Sequence, residues 1–219
     1  ARCLLVLVIG LLLASPLDAA PQRPNIILIM ADDIGYECFG CYGSKQYQTP
    51  QIDRLARQGM RFNHCYAQPL CTPSRVKLMT SLSNVRNYSA FSVLNRDQRT
   101  IGQYFKAAGY QTMIAGKWQL LGAEHYSAQF RGKGSRPEEM GFDQSCLWQV
   151  DKLGNRYWEP LLYINGKHRQ FGKDEYGPTI ATDAITKFME AQQAKPFFVY
   201  YPMIQVHSPF RPTPDSKSR

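Results

Sequence analysis

Acidic residues are scarce in this 219-residue chain: 17 Asp and Glu stand against 26 Lys and Arg, a formal net charge of +9. That imbalance favours anionic partners such as acidic glycans and sulfate or phosphate esters. The cations are dispersed rather than gathered in one run, so no nucleic-acid-binding patch is drawn. Long apolar runs are also lacking. Beyond the first residues, no segment approaches the roughly 20 apolar residues that span a bilayer, so no stable membrane insertion is expected. Internal repeats are absent, and 44% hydrophobic residues exclude a disordered polymer. Cysteine is sparse, with six in all. No second CxxC or paired histidine follows Cys38-Phe39-Gly40-Cys41 at finger spacing, which argues against a structural zinc.

What is present begins with an export signal. Arg2 precedes the apolar run from Cys3 to Ala14, and small residues follow at Ala14-Ser15 and Ala19-Ala20. This order of charge, apolar core and small residues is that of a secretory signal peptide over residues 1–20. A secreted or periplasmic location follows. Cys3 would leave with the signal, and the odd set that remains (Cys38, Cys41, Cys65, Cys71 and Cys146) implies a thiol with another task. The other loop cysteines are open to disulfide pairing.

From Asn25 the pattern alternates strands with amphipathic helices. Asn25 to Met30 is an apolar, β-branched run expected to be a strand buried on both faces. Thr49, Pro50 and Gly59 punctuate a helix whose Ile52, Leu55 and Ala56 share a face. Met60 to Tyr66 reads as a strand and Pro73 to Ser83 as a helix. A helix over Thr100 to Ala108 and a strand over Gln111 to Ala115 follow. A helix over Thr179 to Ala191 then precedes a buried strand over Pro196 to Tyr201. This alternation predicts an α/β fold with a mostly parallel sheet flanked by helices. The stretch 122–177, rich in Gly, Pro and aromatic residues, reads as a surface excursion containing a hairpin about Asn165-Gly166. The tail from His207 to Arg219 reads as extended.

Ligands of open parallel sheets bind outside the carboxyl ends of the strands. Those ends carry Asp32 and Asp33, then Lys117 and Gln119, then His207. Two converging carboxylates repel, and a hard cation such as calcium or magnesium resolves the conflict. A loop-capping aspartate pair explains the same residues without a metal. Cys71-Thr72-Pro73-Ser74-Arg75 places a thiol near a helix N-terminus, where anions are favoured. Arg75, four residues on, can return toward it.

Cys71 to Arg75 resembles the C-x-P-S-R signature of the type I sulfatases, within the alkaline phosphatase-like superfamily, and Leu78-Met79-Thr80 resembles its continuation. Arg23-Pro24-Asn25 through Gly35, Gly116-Lys117-Trp118, and Pro196 through Pro209 resemble further segments of that family in the same order. The resemblance implies that Cys71 is oxidised to formylglycine by a maturation enzyme and that Asp32, Asp33 and Cys71 surround calcium. It implies catalytic roles for Cys71, Arg75, Lys117 and His207, with Lys117, Gln119 and His207 contacting the substrate. The expected activity is hydrolysis of an aryl or carbohydrate sulfate ester. A phosphate or phosphonate ester hydrolase and an inactive anion- or glycan-binding fragment are the alternatives. Two residues depart from the pattern. Gln119 stands where many relatives carry histidine, and glutamine shuttles no proton at neutral pH. Ser81 stands where the extended signature commonly has glycine. The sequence reads as residues 21–219 of an N-terminal sulfatase domain whose C-terminal part, with further metal ligands and a second lysine, is absent. A product of this length is expected to be inactive alone.

Overall fold

The computed structural model describes residues 23–192 and 194–216. The expected signal peptide, with Cys3, lies outside the described residues. Strands β1 (Ile26–Met30), β2 (Gln111–Lys117), β3 (Gln144–Trp148), β4 (Leu161–Ile164), β5 (Lys167–Gln170) and β6 (Phe197–Pro202) form one six-stranded sheet. Their order is β1-β6-β2-β3-β4-β5. The first four in that order run parallel, and β4 and β5 are antiparallel additions. Helices α1 (Pro50–Gln58), α2 (Cys71–Thr80), α3 (Asn84–Asn87), α4 (Ile101–Ala107) and α5 (Gly177–Ala191) fill the connections.

The centre of the sheet is β6 and β2, whose residues are buried almost throughout. Period-two alternation assigns their side chains to two cores. Ile114, Phe198 and Tyr200 join Val76 and Met79 of α2 on one face. Met113, Ala115, Val199 and Tyr201 join Ile185 and Phe188 of α5 on the other. Continuous apolar sequence is what a strand covered on both faces requires.

The same reasoning overstates β1. It is the edge strand, and Ile27 and Ile29 are 49% and 59% exposed, so it is buried on one face only. Helix α1 has its expected bounds with Pro50 at its start, but no residue in it is buried. The Thr49 hydroxyl bonds to the Gly40 amide and the Asp53 carboxylate instead of capping the helix. Met60 to Tyr66 is not a strand, and Met60, Phe62 and Tyr66 are exposed. Helix α4 is closed by a reciprocal Thr100–Gln103 capping box.

The stretch 122–177 adds β3, β4 and β5 to the common sheet, with β3 parallel to β2. Residues Asn165 and Gly166 both have positive φ, at 46° and 89°, as the tight turn joining β4 to β5 demands. All five described cysteines are free, so the loop thiols are not paired with each other.

Candidate active site

The parallel strands β1, β2 and β6 end on one rim, and the site is built there. After β1 the chain continues as Asp32-Asp33, clipped to the loop after β6 by backbone bonds. The Met203 amide donates to the Met30 carbonyl, the Asp32 amide to Gln205 and the Val206 amide to Asp32. Asp33 has φ 55°, in the left-handed region that asparagine and aspartate tolerate best among residues bearing a side chain. The two carboxylates therefore diverge. Asp32 turns inward and is buried, whereas the Asp33 side chain is 59% exposed.

Asp32 is met by two buried cations. Lys117, the last residue of β2, places Nζ 2.7 Å from Asp32 Oδ2, and Arg75 Nη2 lies 3.7 Å from the same oxygen. Arg75 Nη1 also donates to the Lys117 carbonyl. Both cations are 1% exposed. Buried charge persists only when paired and hydrogen-bonded, so this triad locks β1, β2 and α2 together. One donor is left over: the buried Arg75 Nε has no hydrogen-bond partner.

Cys71 is the first residue of α2, which begins without a side-chain cap. Its thiol donates to Gln119 Oε1 at 3.1 Å, and Gln119 Nε2 donates to the Tyr126 hydroxyl at 3.0 Å. Gln149 reaches the same hydroxyl at 3.2 Å. Gln119 thus contacts position 71 directly. Burial, and secondarily the charge of Cys71, push the Tyr88 phenol above its ordinary range. The isolated thiol of Cys146 contrasts with this: burial in β3 pushes it up to about 12, which leaves it inert at neutral pH.

His207 faces Asp33 through Nε2 at 3.4 Å. Its Nδ1 lies 2.8 Å from the Ser208 carbonyl and 3.2 Å from Arg156 Nη1. Arg156 is the residue the sequence reading missed. Burial lowers its pKa, while Tyr157, Asp32, Asp33 and Cys71 act in the opposite direction. The signal available beforehand was one arginine among the aromatic residues of the 122–177 stretch, indistinguishable there from a surface cation.

The expected metal set does not converge. Among the described residues no three His, Cys, Asp or Glu side chains are grouped to hold a metal ion. Asp32 turns to Lys117, Asp33 to His207, and Cys71 to Gln119. The donor chemistry of Asp32 and Asp33 fits part of a calcium shell, since a hard cation prefers carboxylate oxygens and takes six to eight of them. Cys71 would join such a shell only through the oxygen it gains on oxidation to formylglycine, since a sulfur ligand does not suit a hard cation.

A family model described as Sulfatase matches residues 24–218. The chain is 33% identical over 205 residues to an N-acetylglucosamine-6-O-sulfatase of Bacteroides thetaiotaomicron, covering 92% of this chain and 34% of that protein. It is 31% identical over 227 residues to an N-acetylgalactosamine-6-sulfatase of Canis lupus familiaris, covering 87% of this chain and 41% of the relative. A solved structure described as in complex with its substrate D-glucosamine-2-N,6-O-disulfate superposes with TM-score 0.76 at 33% identity, covering 89% of this chain and 37% of that one. The chain thus spans about a third to two fifths of these curated relatives' length. With the family model running the length of the described fold, the chain belongs to the sulfatase family.

Proposed function

We propose that the protein carrying this chain hydrolyses sulfate esters of carbohydrates, with Cys71, once converted to formylglycine, as the nucleophilic position. The observation that carries this reading is the burial of Arg75, Lys117 and Asp32 as one ion network beside the first turn of α2. The coverage of amino-sugar sulfatases by nearly the whole chain supports the choice of carbohydrate.

When present, a calcium ion on Asp32 and Asp33 would offset sulfate charge, and the hydrate of formylglycine would supply one hydroxyl as nucleophile and a second whose deprotonation expels sulfate and restores the aldehyde. The remaining work falls to the chain's own side chains. Arg75, whose buried Nε has a donor to spare, would steady position 71 from the next turn of α2. Lys117 presents its ammonium at the base of the site, where charge on a sulfate oxygen gains most from low dielectric. Gln119 holds position 71 by a hydrogen bond and transfers no proton. His207 is the titratable group available to the departing oxygen. The net reaction consumes one water and yields an alcohol and sulfate.

Export through residues 1–20 and maturation by a separate oxidising enzyme belong to the same proposal. Among the described residues no helix is long and apolar enough to cross a membrane. Mass spectrometry of the peptide across Cys71, in full-length protein from the native host, tests the reading. An aldehyde is expected there, with turnover of an amino-sugar 6-sulfate that Cys71→Ala abolishes; an unmodified thiol in active protein would remove the proposed nucleophile. Faster hydrolysis of a matched phosphate ester would assign the site to phosphoryl or phosphonyl transfer instead.

A further inference from the structure

A cleft of about 510 Å³ is lined by Trp148, Arg156, Trp158, Arg211 and Pro212, with Glu159 as the carboxylate on its wall. Its floor is rigid. The Trp148 ring is buried and its Nε1 donates to the Gly154 carbonyl at 3.0 Å. The Arg156 Cζ sits over that ring, 4.0 Å from its centroid. The segment carrying Arg156 is fastened to the opposite wall at neighbouring residues. Tyr157 donates to the His207 carbonyl at 2.6 Å, and Trp158 Nε1 donates to the Pro212 carbonyl at 3.1 Å.

Held this way, Arg156 has donors to spare. A guanidinium carries five N–H groups, and the hydrogen bond of Arg156 is to His207 Nδ1. Among the described residues no carboxylate forms an ion pair with it. The imidazole of His207 separates it from the carboxylate rim: Nε2 faces Asp33, and Nδ1 faces Arg156. Arg75 and Lys117 already serve the inner side. The cleft thus offers a preorganised cation on the outer side of the histidine, with Arg211 across from it beside Pro212. A planar fork of N–H groups suits a carboxylate or sulfate bound through two oxygens.

We propose that this cleft binds a second anionic group of the substrate, a carboxylate or sulfate on the same or the adjoining sugar, with Arg156 as its anion-binding residue. The proposal rests on the reading of the protein as a carbohydrate sulfate ester hydrolase and specifies its substrate class as a glycan bearing at least two charges.

The test uses full-length protein carrying the aldehyde at position 71. Three substrates are compared by kcat/KM: a monosulfated amino sugar, its disulfated counterpart, and a disaccharide joining the sulfated sugar to a uronate. One or both two-anion substrates are expected to be preferred, on the order of 10- to 100-fold, the worth of a charge-assisted hydrogen-bonded contact. Arg156→Gln keeps a donor for His207 but removes the charge, and should erase that preference; Arg156→Lys should keep part of it. The disulfated and uronate arms tell which anion is bound. Absence of any preference, or an equal fall for all substrates in Arg156→Gln, overturns the proposal and leaves Arg156 as a support for His207. If no sulfate ester is hydrolysed, the functional reading fails separately. The cleft is then judged by calorimetry of Cys71→Ala protein with the sulfate-free uronate disaccharide. Binding lost in Arg156→Gln supports it, and no binding overturns it.

Discussion

Lys117 does two jobs whose energetics differ. As the 2.7 Å partner of buried Asp32 it removes the cost of an isolated carboxylate in the interior. In the proposed reaction the same buried ammonium would act on sulfate from the base of the site. Lys117→Ala leaves Asp32 with only the more distant Arg75, and is expected to destabilise the fold by about 3–5 kcal/mol. Urea unfolding checks this. A loss below about 1 kcal/mol would mean that water reaches Asp32 and that the triad is no structural lock. Asn87 gives a second lesson at this scale. Asn87-Tyr88-Ser89 fits a glycosylation sequon, yet Asn87 is buried, with its amide nitrogen donating to Thr80 Oγ1 at 2.6 Å and to the Leu82 carbonyl at 2.9 Å. The sequence pattern is present, but the atom that would carry the glycan is committed to closing α2.

Helix α2 is the element on which the site turns, because it delivers Cys71 and Arg75 from one segment. Its buried residues include Thr72, Arg75, Val76 and Met79, so the helix is fixed by packing along its length. It ends at Ser81, whose φ of 57° is the left-handed conformation that glycine adopts without strain. A serine there therefore has a conformational cost at the helix stop. Ser81→Gly is expected to raise stability by about 0.5–1 kcal/mol, read as a higher midpoint of thermal unfolding. No change would show that the serine side chain recovers the strain locally. Gly116 in β2 is constrained by space as well. Its φ is 115°, and an added Cβ would meet the Pro202 carbonyl oxygen of β6. Those two strands must approach closely for Lys117 to reach Asp32.

Across the whole molecule, acid stability depends on carboxylates that tie elements together. Burial raises the pKa of Asp143, but bonds from Lys106 of α4 and from the Thr112 amide and hydroxyl of β2 outweigh it, so the net shift is downward. A carboxyl depressed in the folded state stabilises above its unfolded pKa and loses that contribution as pH falls through the folded value. Asp143→Asn should therefore be less stable than the parent at neutral pH, with the gap narrowing below the ordinary carboxylate range near pH 3.8. Denaturant midpoints across that range check it; a gap independent of pH would assign the loss to hydrogen-bond geometry rather than charge. At the opposite edge of the sheet, β1 leaves Ile27 and Ile29 substantially exposed.

How much could be read without coordinates depended on whether the signal was local. Strand β6 is a continuous apolar run, helix α2 is marked by its own residues, and the Asn165-Gly166 turn follows from its backbone needs. The ordered motifs around Asp32, Cys71, Lys117 and His207 also lie in short segments, so they were legible one at a time. Strand β3 was hidden inside a Gly- and aromatic-rich stretch because its pairing with β2 is a long-range contact. Met60 to Tyr66 had strand-like composition, but composition supplies no neighbouring strand. The direction of each site side chain also depended on the assembled fold. The divergence of Asp32 from Asp33 is set by one backbone angle, and the burial of Lys117 by the spacing of β2 and β6. The position of Arg156 over Trp148 depends on contacts with residues some fifty positions away in sequence. The amino-acid order thus determined which chemical groups the protein owns and which strand ends carry them. Only the tertiary structure decided which groups meet, because charge pairing and burial depend on distance in space rather than along the chain.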